Sequence, residues 1–187
     1  MNDLAILADQ IGVNERTLRR AVVAGTLRAE RPTPRKLTMS GAEKRYLLRS
    51  WDRLASLREA LRTEQNVRFA LLFGSVARGD DGPDSDLDLL VEMRDSSLTR
   101  TVDLGVKLEG LLGSRVDLLT LDTARDNAQL LSEVVDEGRV IVDREERRLS
   151  LHAEAEALRR RARRESGSKR RRALAGIDRM LAADAGR

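Results

Sequence analysis

Along this chain apolar positions follow two rhythms, a three-to-four spacing toward both ends and short, nearly continuous runs in the middle. The first places side chains on one face of a helix; brief unbroken runs of branched and aromatic residues fit buried strands. Leu4, Ile6, Leu7 and Ile11 predict a short helix that Gly12 interrupts. Asn14 then caps a second helix with Leu18, Ala21 and Val22 on its buried side, and Gly25 supplies a left-handed stop. Leu27 to Arg31 and Arg35 to Thr38 flank a Pro32-Thr33-Pro34 turn and predict a basic hairpin. Ser40-Gly41-Ala42-Glu43 has capping-box spacing and opens a helix to about Arg62, where Trp51 packs against a core or an interface.

Val67 to Phe73 reads as a buried strand, followed by strands at Ser85 to Glu92 and Arg115 to Thr120. Between the last two, Leu104, Leu108, Leu111 and Leu112 share the buried face of a helix. Ala124 to Gly138 predicts one more helix, and Arg139 to Asp143 a closing edge strand. Arg144 to Arg164 is helical and heavily charged; Gly167 marks a break, and Lys169 to Ala183 carries Leu174, Ile177 and Leu181 on one stripe. The expected fold class is α/β (α+β), a small mixed sheet preceded by a helical head and followed by helices. Its expected segments are 1–62, 63–143 and 144–187.

Charge sharpens this division. Residues 1–64 hold 13 basic and 8 acidic side chains, residues 65–143 hold 8 and 16, and residues 144–187 hold 14 and 7. An acidic centre between basic ends suggests separate jobs for the three segments. At 187 residues with 41% apolar and 35% charged, the chain can bury a core and is too hydrophobic for a disordered one. No run approaches the roughly 18 apolar residues of a membrane span, and the N-terminus lacks the basic-then-apolar order of a secretory signal, so a cytoplasmic location is expected. With no cysteine and a single histidine, His152, thiolate zinc sites, thiol nucleophiles, histidine metal cages and Ser-His-Asp triads are excluded. Chemistry must run on carboxylates, hydroxyls, arginines and backbone.

In the head, Arg16, Thr17, Arg19 and Arg20 lie opposite the buried side of the second helix, and Arg35 and Lys36 sit on the hairpin. Over residues 1–62 this order resembles the winged helix-turn-helix family. The resemblance implies double-stranded DNA as partner, with the second helix in the major groove and the hairpin on phosphates. Toward the C-terminus, Arg159-Arg160-Arg161 and Arg170-Arg171-Arg172 offer phosphate contacts, but 2% aromatic residues give no base-stacking platform. A partner-protein helix or a solvated basic face fits them as well. His152 reads as an exposed helix residue.

The acidic centre carries the chemistry. Its first strand ends abruptly at Gly74-Ser75-Val76-Ala77-Arg78-Gly79. A glycine at such a corner lets backbone approach a ligand, so that N–H groups and the Ser75 hydroxyl can hold a phosphate. Ten residues after Ser75 comes Asp86-Leu87-Asp88. Residues two apart on a strand share a face, and two adjacent carboxylates repel unless a cation lies between them. Oxygen-only ligands suit magnesium, and Asp117 on the next strand is available as a third.

Gly74-Ser75, ten residues and Asp86-x-Asp88, within GSVARGDDGPDSDLDLLV, resembles the minimal nucleotidyltransferases (MNT) of the polymerase β-like superfamily over residues 66–143. The resemblance implies transfer of a nucleoside monophosphate, AMP from ATP or another nucleoside triphosphate, with pyrophosphate leaving. It implies that Gly74 and Ser75 hold the triphosphate and that Asp86 and Asp88 bind magnesium, or manganese in its place. It further implies that Asp117 aids the metal and the attacking hydroxyl, and that Arg78 braces the loop or approaches a phosphate. Minimal members are often the antitoxin of a pair, adenylylating a HEPN-type toxin and repressing their own promoter. Alternatives are a toxin modifying tRNA 3′ ends, a small-molecule modifier, and a non-catalytic nucleotide-binding transcriptional regulator. A homo-oligomer is left open.

Overall fold

The computed structural model describes residues 3–33, 36–82, 85–161 and 163–164. Two helices, α1 (Asp3–Gln10) and α2 (Glu15–Ala24), begin the head. Asn14 caps α2 by accepting from the Arg16 N–H, and Gly25 ends it at φ 86°. A two-stranded hairpin, β1 (Glu30–Thr33) and β2 (Lys36–Thr38), leads into the long helix α3 (Gly41–Arg62). The first hairpin strand lies later than the predicted 27–31. Leu27 is buried rather than extended into the ribbon, and Pro32 is accommodated because a two-stranded ribbon has open edges.

Beyond the head lies a four-stranded sheet in the order β5-β4-β3-β6. Strand β3 (Val67–Phe73) is antiparallel to both β4 (Leu87–Met93) and β6 (Arg139–Asp143). Strand β4 runs parallel to β5 (Val116–Thr120), and α5 (Leu98–Leu112) makes the crossover that parallel pairing demands. The short helix α4 (Gly74–Arg78) follows β3; α6 (Leu121–Arg125), α7 (Ala128–Glu137) and a last helix, α8, over 147–161 complete the chain described. Among the described residues no helix is long and apolar enough to cross a membrane.

Several local expectations need correction. The single helix expected over 124–138 is two, because the Asn127 side chain accepts from the Leu130 N–H at 3.1 Å and starts α7 afresh. On α5 the buried arc runs through Leu104 and Leu108, which leaves Leu111 at its rim in the last turn, 60% exposed. Of the capping box only one arm forms. Ser40 Oγ accepts from the Glu43 N–H at 3.1 Å, while the Glu43 carboxylate accepts from the Arg28 N–H at 2.9 Å and pairs with Arg139. The helix expected over Lys169 to Ala183 and the cluster Arg170-Arg171-Arg172 lie outside the described residues, as does Arg35.

Alternation along the strands builds two apolar layers. One face presents Leu72, Leu87, Leu89, Val91 and Val116 to α3, α5 and the head, in a cluster that continues through Leu57, Leu54 and Leu47 to Leu27 and Leu18. The other presents Phe69, Leu71 and Leu90 to Leu121, Leu131, Val134 and Leu151 of α6, α7 and α8. Where the head meets the sheet, Arg139 is 2% and Glu43 6% exposed, joined by two bonds of 2.6 and 2.9 Å. Arg139 also donates to Ala77 O at 2.6 Å and Thr26 O at 3.3 Å, and stacks 3.5 Å from the Tyr46 ring centre. Both formal charges are thus matched within hydrogen-bonding distance, the condition for keeping an ion pair inside a core.

Candidate active site

One end of the sheet turns acidic on the face carrying Leu90. Strand β3 stops at Phe73, and Gly74 bends the chain at φ 71°. Phe73 pairs with Asp88 across β3 and β4, and Asp88 pairs with Asp117 across β4 and β5. The three thus form a row perpendicular to the strands. A Cβ on Gly74 would collide with the Asp88 carboxylate, so glycine is required there by contact as well as by backbone angle. Asp86 precedes β4, where the Leu87 N–H donating to Arg115 O at 2.9 Å extends the ladder. Ser75 is half-buried on the first turn of α4, whose N-terminus has no side-chain cap.

Partial burial pushes the Asp88 carboxyl up from its ordinary value, and the negative charges of Asp117 and Asp86 push it further; Arg78 opposes them. The site is therefore short of positive charge. Arg78 is divided between Asp80 at 3.1 Å and Glu137 at 3.0 Å. Arg115 Nη1 lies 3.7 Å from Asp86 Oδ2, but its side chain is 76% exposed and neutralises little.

Among the described residues no three acidic or histidine side chains are gathered into a ready cation cage. Magnesium does not need one, since it keeps waters and takes one or two carboxylates plus substrate phosphates. Unbalanced hard oxygen donors of Asp86, Asp88 and Asp117 fit such an ion.

Sequence reasoning brought Gly74, Asp88 and Asp117 together as the structure does. It did not find Asp81, Arg49 and Arg53, which hold the α4–β4 loop on α3; the four-residue spacing of the two arginines was the available signal. The head residues stand apart from this constellation. Arg16 and Arg20 are exposed on α2, Thr17 is half-buried, Arg19 pairs with Glu15 at 2.5 Å, and Lys36 is exposed on β2. His152, expected exposed, is half-buried beside Gly25, Arg28 and Arg148 in a cavity of about 350 Å³. On α8, Arg159 pairs with Asp136 at 3.5 Å and Arg160 with Glu156 at 3.1 Å.

Comparison with known proteins agrees with this geometry. A family model for polymerase beta nucleotidyltransferases matches residues 55–147. A protein adenylyltransferase MntA of Thermococcus cleftensis is 38% identical over 85 residues, 44% of this chain and 86% of the relative. A protein of Methanocaldococcus jannaschii is 38% identical over 76 residues, 39% of this chain and 82% of its own length. Among solved structures, a chain from a toxin–antitoxin crystal structure with AMP-PNP superimposes at TM-score 0.55 and 22% identity, covering 65% of this chain and 98% of that one. A chain from a complex of tri-AMPylated Shewanella oneidensis HEPN toxin with MNT antitoxin gives TM-score 0.52 at 20% identity, covering 67% and 98%. At such identities the structural likenesses speak for the fold alone. The sequence relatives and the acidic corner together carry the assignment: the chain belongs to the MNT family of polymerase β-type nucleotidyltransferases.

Proposed function

We propose that this chain transfers AMP from ATP to a hydroxyl of a protein acceptor, a HEPN-type toxin, and so acts as the antitoxin of the pair. The observation that carries this reading is Gly74 packed against Asp88 with Asp117 paired beside it, in a chain 38% identical to a protein adenylyltransferase across 86% of that relative. The solved complexes with matching folds contain a HEPN toxin or AMP-PNP, which supports the same partner and nucleotide.

In this reading the N–H groups of Gly74 and Ser75 orient the triphosphate, and Arg78 leaves Glu137 for a phosphate oxygen. Asp86, Asp88 and Asp117 hold magnesium, with manganese as the alternative. When bound, the ion neutralises charge on the transferred phosphoryl group and on the leaving pyrophosphate. Asp117, exposed on the edge strand, takes the acceptor proton as the oxygen–phosphorus bond forms and pyrophosphate departs.

The head is proposed as a winged helix-turn-helix that represses the chain's own promoter through Arg16, Thr17, Arg19, Arg20, Arg35 and Lys36. An Asn14-capped helix with exposed Arg16 and Arg20, followed by a hairpin with exposed Lys36, supports this reading.

The test is incubation of the full chain with magnesium, α-labelled ATP and a co-encoded HEPN protein. Label on that protein, lowered at least ~100-fold by Asp86→Ala with Asp88→Ala, is expected; that loss corresponds to about 2.7 kcal/mol of transition-state stabilisation. Label on tRNA 3′ ends instead would replace the antitoxin reading by the toxin one. Promoter repression with no transfer by the wild type would leave only a regulator.

A further inference from the structure

The loop between α4 and β4 ends on Asp86, and it is not held by the sheet alone. Asp81, five residues before Asp86, has its side chain only 7% exposed. Its two carboxylate oxygens are taken separately, Oδ1 by Arg49 Nη2 and Oδ2 by Arg53 Nη1, each at 2.7 Å. Arg49 also donates to Gly79 O at 2.6 Å. Gly79 itself adopts φ 87° against the Tyr46 ring, where an added Cβ would lie 3.0 Å from Cδ2. Arg49, Arg53 and Tyr46 all belong to α3. Between the clamp and Asp86, Gly82 donates to Ser85 Oγ at 2.9 Å and Ser85 donates back to Gly82 O at 3.3 Å, tying the neighbour of Asp86 to the neighbour of Asp81.

Isolated surface pairs contribute little, but a nearly buried carboxylate whose two oxygens are both claimed by guanidinium groups is fixed in direction as well as in energy. We infer that Arg49 and Arg53, acting through Asp81, are positioning residues that set where Asp86 meets the cation and the nucleotide. The inference rests on the nucleotidyl-transfer reading of the same site. It makes α3 a supporting wall of the active centre, with no contact to substrate required of the two arginines. Groups that orient a metal ligand without touching the metal typically change affinity or activity by ~10–100-fold when removed.

The test uses the full chain as wild type, Arg49→Ala with Arg53→Ala, Arg49→Lys with Arg53→Lys, and Asp81→Asn. Binding of a fluorescent ATP analogue is titrated with magnesium, and transfer is then measured at saturating metal. The double alanine variant and Asp81→Asn are expected to raise half-saturating magnesium about tenfold and to lower kcat, with little change in KM for ATP once metal saturates. The lysine variant, which restores charge without the planar fork, is expected to recover part of the loss. A purely structural role would lower the melting temperature without moving the metal requirement. Should the double alanine variant lose cooperative melting, Asp81→Asn, which keeps the side-chain shape, decides the matter. Folded variants whose magnesium requirement lies within about twofold of wild type would overturn the inference alone. A wild type that takes up no nucleotide at any magnesium concentration would overturn the functional reading and this inference with it.

Discussion

Replacing Glu43 by alanine strands the Arg139 guanidinium in the interior. Arg139 is 2% exposed, and its remaining partners, Ala77 O at 2.6 Å, Thr26 O at 3.3 Å and the face of the Tyr46 ring, do not cancel its charge. Removing one member of a buried pair costs about 3–5 kcal/mol. The Arg28 N–H loses its acceptor too, an added cost of about 1 kcal/mol. A total near 5 kcal/mol at about 2–4 °C per kcal/mol lowers the melting temperature by roughly 10–20 °C. Glu43→Leu with Arg139→Met removes both charges together, and its cost is expected to fall short of the summed costs of Glu43→Leu alone and Arg139→Met alone by about 2 kcal/mol. Urea and thermal unfolding of the full chain measure all four corners of this cycle. A Glu43→Ala loss below about 1 kcal/mol, or strict additivity, would refute the account of how the head is joined to the sheet.

Other predictions follow from single positions. Gly74→Ala forces a side chain into the left-handed region, about 1–2 kcal/mol, and against Asp88; ATP-analogue binding should weaken at least ~10-fold. Gly110→Ala, in open space on α5, should instead stabilise by roughly 0.4–1 kcal/mol. Because the Asp88 carboxyl is raised in the fold above its ordinary 3.8, its ionisation costs stability as pH rises through and above that value. Asp88→Asn should therefore melt higher than wild type at pH 7 in metal-free buffer, with the gap closing as pH falls toward 3.8. The Tyr46 hydroxyl is buried with no hydrogen-bond partner among the described residues, so Tyr46→Phe should stabilise by about 1 kcal/mol while keeping the stacked Arg139, as chemical denaturation would show. Arg19→Ala with Arg20→Ala should weaken the proposed promoter binding and flatten its salt dependence by up to about two log-log units, measured by fluorescence anisotropy across a salt series.

Much of the acidic corner could be read in advance because its information is local. A strand of Val, Phe and Leu ending at Gly74, and the alternation Leu87, Asp88, Leu89, fix which side chains share a face before any tertiary contact is known. The row across three strands then follows from the crossover that α5 provides. Contacts between distant positions left no such trace. Glu43 and Arg139 are 96 residues apart, and nothing in the periodicity around Ser40 says that the Glu43 carboxylate will abandon its own helix start. Asp81 sat in an acidic run where any of several carboxylates could have been the one clamped. The break at Asn127 was hidden because the residues around it continue a helical spacing; the cap decides, and the cap is a side-chain hydrogen bond.

The apolar filling that runs unbroken from Leu18 and Leu27 through Leu47 and Leu54 to Leu72 and Leu89 has a mechanical meaning. A head on a hinge could swing while the sheet stood still. Here, turning the head would tear the interior open, so α1, α2 and the start of α3 keep a set bearing toward Asp88 and Asp117. A load applied at α2 would be carried toward the acidic end of the sheet through these same packed side chains, without a change of pose.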